Sequence, residues 1–79
     1  MQVVKGMYRH FKGGDTLFEV LGEATHSETG EKLVVYRHIE QGVPASTFWV
    51  RPVTMFYSEV PKDRENPSGQ RYRFERIEE

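Results

Sequence analysis

No cysteine occurs among the 79 residues, tryptophan occurs once, and no apolar run is long enough to cross a membrane. Without cysteine there is neither a disulfide staple nor a thiolate metal site, so a fold this small must rest on packing, alone or against a second copy. The lack of a membrane-length run, and of a basic-then-apolar order at the N-terminus, makes a cytoplasmic protein with no membrane partner the expectation. Charge of one sign is missing too: 11 Lys and Arg against 12 Asp and Glu leave a formal net charge of -1. That balance gives no global pull toward nucleic acid, which would need a local basic patch.

Aromatic surface is what the chain has in quantity, with five Phe, four Tyr and one Trp. A single domain spanning residues 1–79 buries only roughly 60% of the surface its unfolded chain exposes. Large rings supply core density at modest entropic cost.

The second strong signal is alternation. From Thr16 to His26, Phe18, Val20, Gly22 and Ala24 fall on one parity and Leu17, Glu19, Leu21 and Glu23 on the other, the period of a half-buried strand. Ser27 to Gly30 then give a turn signal, and "EKLVVYRHIE" resumes with Leu33, Val35 and Ile39 opposed to Val34, Tyr36 and His38. The two segments predict a β-hairpin. A loop of Ser27 to Gly30 sets His26 opposite Glu31 and pairs Phe18 with Ile39, Val20 with Arg37 and Ala24 with Leu33. A bulge at Gly30 would slip this register by one, and Gly22, with no side chain to pack, marks a bend.

"GVPAS" breaks the pattern, and Thr47 to Arg51 form a short strand stopped by Pro52. "VTMFYSEV" reads as a helical turn followed by a strand, and Pro61 to Gln70 as an exposed polar loop. The run from Arg71 closes the chain with Tyr72, Phe74 and Ile77 as its apolar members. With an opening strand around Tyr8, the expectation is an all-β, small SH3-like barrel of five or six short antiparallel strands, with at most one short helical turn.

The stretches "YRHFKGG", "VLGEATHSETGEKLVVYR", "WVRPVTMF" and the terminal "RF" resemble the pattern of the bacterial DUF1653 family, small proteins of unassigned function. The resemblance covers most of the chain and implies a compact SH3-like β-barrel. It brings no catalytic residue and no cofactor. The segments "IEQGVPAST" and "PKDRENPSGQ" depart from that pattern.

Three histidines raise the question of a metal, but His26 and His38 fall far apart along the hairpin and His10 alone completes no ligand set. "HSE" matches half of a zinc-deaminase motif whose cysteine pair is missing. Neighbouring His26 and Ser27 point to opposite faces, so no nucleophile and base meet there. "KGG", Lys12 to Gly14, offers amides and one cation but matches no phosphate-loop pattern, and reads as the first turn of the barrel. Arg71, Arg73 and Arg76, diluted by Glu75, Glu78 and Glu79, read as a solvated strand face.

The stronger candidate surface joins Tyr8, Tyr36 and Trp49, as apolar or stacking contacts, to Arg9, Arg37 and Arg51, as anion clamps. Trp49 lies on the opposite parity from Phe48 and Val50, and the need for large rings inside favours Trp49 as core. Tyr8-Arg9-His10 recurs as Tyr36-Arg37-His38, with flanks too different for a duplicated unit. In each copy Tyr and His share one strand face and Arg takes the other. The expected function is a non-catalytic binding module for a protein segment or small anionic ligand, as monomer or homodimer. The alternatives are a small nucleic-acid-binding barrel, or a hydrolase using His10 or His26 as base, which requires a carboxylate partner in a pocket.

Overall fold

The computed structural model describes residues 2–13 and 17–77. Its elements run β1 (Gly6–His10), β2 (Leu17–Thr25), β3 (Lys32–Glu40), β4 (Val43–Pro44), β5 (Trp49–Pro52), α1 (Val53–Phe56) and β6 (Phe74–Arg76). Gly14, expected to end the first turn, and Thr16, expected to open the long hairpin, lie outside the described residues. The six strands form one antiparallel sheet in the order β4-β3-β2-β1-β6, and β5 pairs with the first half of β3. This is the all-β, barrel-like domain that the alternation predicts, with no pairing between β5 and β6 among the described residues.

The hairpin turn forms for local reasons. His26 Nδ1 accepts the backbone N–H groups of Glu28 at 3.1 Å and Thr29 at 3.4 Å, and the Gly30 N–H donates to the His26 carbonyl at 2.9 Å. Gly30 takes φ +76°, open to glycine without steric cost. Beside the turn the register is the expected one, Ala24 against Leu33, with the His26 N–H donating to the Glu31 carbonyl at 2.8 Å.

Farther along, the register departs from expectation. Val20 pairs with Tyr36 and Gly22 with Val35, so Leu21 is an extra residue on β2. The irregularity sits next to Gly22 and not at Gly30. Beyond it Phe18 faces His38 and Leu17 faces Ile39, one position away from the alternation-based pairing. A one-residue slip exchanges the faces of a strand. The extra residue therefore carries Phe18 and Val20 of β2 to the face of Val34 and Tyr36, both buried on β3, while Leu33 and Val35 on the other face are only partly covered.

Tyr8, Val20, Val34, Tyr36, Val53, Phe56 and Phe74 form the core cluster, with Val3, Phe18 and Tyr57 packed against it. The helical turn supplies two of these because Val53 and Phe56, three apart, share a face. Phe56 and Phe74 stack at 4.3 Å with their planes 6° apart. Each such buried ring contributes about 2–3 kcal/mol by area removed from water. Pro52 does not stop β5 early: it pairs with Leu33 as the strand's last residue and then caps α1. An edge position tolerates its missing N–H.

Candidate functional site

The six surface residues expected from the sequence separate into three groups. Tyr8 and Tyr36 are buried at 2% and 4% exposure, so neither ring belongs to an exposed face. The Tyr8 hydroxyl donates to the Val4 carbonyl at 2.7 Å and lies 3.3 Å from the Tyr57 hydroxyl. Burial, and then that neighbour, raise its pKa well above the ordinary phenol value. Both tyrosines lie on the core face beneath the helical turn, where each packs edge-on or tilted against Phe56.

Arg9 and Arg37 fall on the opposite sheet face. Arg37 pairs with Glu19 directly across the hairpin at 2.8 Å, and Arg9 stands exposed opposite Leu17 and Glu75. Arg9 and Arg37 therefore do not share a clamp with Arg51.

Trp49 and Arg51 are brought together on the inner face, two residues apart on β5 and opposite Tyr36 and Val34. Trp49 is 49% exposed, which decides for the surface where the sequence left core and surface both open. The reason is its place at a sheet edge: Phe48 and Val50, of the other parity, are exposed as well. Arg51 is half-buried. Its Nε donates to the Tyr36 hydroxyl at 2.9 Å, and its guanidinium lies 5.4 Å from the centre of the Phe74 ring. Among the described residues Arg51 forms no salt bridge.

Three further side chains complete this end of the sheet. His38 stacks on Trp49 at 5.9 Å and 19°, and Phe18 meets His38 edge-on at 4.9 Å. His10 lies 5.9 Å from Phe18 and 4.9 Å from Phe74. The two Tyr-Arg-His copies thus converge through Phe18, which pairs with Tyr8 on one side and His38 on the other. Phe18 and His38 were not singled out by motif reading. The signal for them was the shared parity of Tyr36 and His38, usable only once β5 is known to pair with β3.

His10 Nδ1 accepts the Lys12 backbone N–H at 3.1 Å, which leaves the neutral ring's proton on Nε2. Its pKa is lowered to about 4, first by burial and then by Arg51, Lys12, Arg73 and Arg64. Four cations thus bear on one imidazole, and no carboxylate among the described residues offsets them there. Lys12 and Arg64 also line a surface hollow with Asp63 and Glu65. The Arg73 Nε is buried with no hydrogen-bond partner.

The family model described as "Protein of unknown function (DUF1653)" matches residues 6–76, from the first residue of β1 to the last of β6. The chain belongs to the DUF1653 family. No curated protein and no solved structure matches it. In this DUF1653 domain the matched span contains the whole cluster from His10 to Phe74.

The hydrolase alternative needs a histidine held by a carboxylate, and the hydrogen bonds of both candidate bases go elsewhere. His26 is exposed in the hairpin turn with Nδ1 committed to two backbone amides, and His10 is bonded to the Lys12 amide. Among the described residues no three His, Cys, Asp or Glu side chains are grouped to hold a metal ion. No helix among them is long and apolar enough to cross a membrane.

Proposed function

We propose that this DUF1653 domain is a non-catalytic binding module whose recognition face is the open inner end of the sheet. Trp49 and His38 supply flat contact surface, Phe18 and Phe74 the floor, and Arg51 the clamp for an anionic group. The ligand is a small anion or an acidic protein segment. The observation that carries this reading is Arg51: a half-buried guanidinium fixed by the Tyr36 hydroxyl and the Phe74 ring, without a carboxylate partner among the described residues. Partly buried charges are ordinarily paired within their own fold. A protein that holds one ready and unpaired, next to a half-exposed tryptophan, has the parts of an anion-recognition site. The absence of cysteine agrees with work in a reducing compartment such as the cytoplasm.

The single tryptophan is a reporter, because fluorescence excited beyond the tyrosine absorption band comes only from Trp49. A panel of metabolite anions, acidic peptides and oligonucleotides, titrated into the native domain and into folded Arg51→Gln, should give saturable changes that the variant weakens. Equal responses from both proteins across the panel would remove Arg51 from the site and the proposal with it.

A further inference from the structure

The identity of the ligand can be taken one step further, resting on the binding face just proposed. Successive same-face residues of a strand stand about 6.6–6.8 Å apart, and Trp49 and Arg51 are such a pair on β5. One is a large flat ring, half-exposed and already stacked on one neighbour, His38. The other is a planar fork of donors whose Nε is occupied by Tyr36, while its two terminal nitrogens make no hydrogen bond among the described residues. A ring and a fork in fixed register select for a ligand that carries both complementary parts. An acidic protein segment would satisfy the fork alone, and an uncharged aromatic only the indole.

We infer that the ligand is a small molecule in which a planar aromatic ring bears a phosphate or carboxylate, the ring stacking at Trp49 and His38 and the anion pairing with Arg51. The unpartnered Arg73 Nε adds a second donor without an acceptor at the same end of the fold. Aromatic–base stacking and a charge-assisted hydrogen bond each strengthen binding by roughly 5- to 150-fold. Either half alone should therefore bind far more weakly than the whole.

The test is a set of 15N–1H titrations of the full chain with adenosine 5′-monophosphate, 2-naphthoate, adenosine and inorganic phosphate. The expected result is saturable shifts at His10, Phe18, His38, Arg51 and the Trp49 indole N–H with one of the first two probes. That probe should bind at least about tenfold more tightly than adenosine or phosphate, in line with the worth of a charged hydrogen bond. The nucleotide and the naphthoate distinguish a phosphate from a carboxylate as the anion. Arg51→Lys, which keeps the charge and loses the fork, should weaken binding by about tenfold or more. Trp49→Leu should reduce the whole ligand to the affinity of its anion alone. Adenosine or phosphate binding as well as the joined probe would overturn the inference. Shifts at these residues with an acidic peptide, and with neither ring-bearing anion, would overturn the ligand class and leave the binding face standing. Failure of every probe and peptide would remove both.

Discussion

Acidification should destabilise the fold through His10, with a sign and pH window set by its surroundings. In the unfolded chain the imidazole has its ordinary pKa of 6.5, whereas burial and four neighbouring cations lower it to about 4 in the folded state. Between those values the unfolded chain binds a proton that the folded chain refuses, so stability rises with pH across the interval. The neutral imidazole costs the fold nothing above pH 6.5. The penalty then grows as pH falls toward 4, and reaches its plateau below that. A gap of this size corresponds to about 3 kcal/mol without screening. Because the ring is only partly buried, solvent screening reduces this to roughly 1.5 kcal/mol. The measurement is a urea midpoint series from pH 7 to pH 4 on the native domain and on His10→Asn, whose amide oxygen can still accept the Lys12 N–H. Carboxylate titration is common to both, so the difference between their pH slopes isolates the imidazole. Parallel slopes, or an NMR titration placing the His10 ring near 6.5, would refute the reasoning. An anion on Arg51 should move that titration upward.

Phe56→Ala removes the ring stacked on Phe74, and the usual cost of such a truncation is about 3–5 kcal/mol. In a domain of this size that should lower Tm by at least ~15 °C in a calorimetric scan. Tyr8→Phe deletes the hydroxyl that donates to the Val4 carbonyl, and chemical denaturation should register a loss of about 1 kcal/mol. Arg37→Ala breaks its ion pair with Glu19 across the hairpin, but both side chains are about 30% exposed. Its effect should stay below about 1 kcal/mol and shrink further in added salt. A larger, salt-insensitive loss would mean that the Arg37 stem packs as core.

The hairpin was legible because two independent signals agree on it: period-two alternation on both arms, and a turn whose Thr and Gly chemistry fits the backbone observed, although the His26 imidazole and not the Ser27 hydroxyl takes up the Glu28 and Thr29 amides. The helical turn at Val53–Phe56 was readable, since Val53 and Phe56 are three apart and follow a proline, but in place of the strand expected after it there is only a single bridge from Glu59 to Tyr72 among the described residues. What alternation could not supply was the extra residue at Leu21. A bulge changes no side chain's character, only its partner, so a sequence pattern is silent about it while every pairing beyond it moves. That single residue put Phe18 and Val20 on the face of Tyr36, and so packed the core against that ring. Trp49 stayed open between core and surface for a different reason. Demand for buried aromatic surface is a property of the whole chain, whereas burial at one position depends on whether its strand has neighbours. As an edge strand beside β3, β5 leaves large residues of both parities uncovered.

The mismatch at β5 bears on function because it runs against the local economy of a small fold. Phe48, Trp49 and Val50, at 59%, 49% and 53% exposure, are three consecutive large apolar residues left half in water by a chain with few resources for stability. On the same strand an arginine is drawn partly out of water without a carboxylate partner among the described residues. Local rules for a stable edge strand ask for the opposite: polar side chains outward and charges fully solvated. Departures of this kind concentrate where a fold serves something other than its own stability. Here the two departures also share geometry. The exposed ring and the half-buried guanidinium lie on one face, one strand repeat apart, with Trp49 stacked on His38 and Arg51 held by Tyr36 and Phe74. An edge that was merely tolerated would place its apolar and charged residues independently. Their shared face and fixed spacing are the argument for proposing the open end of the sheet as a recognition face.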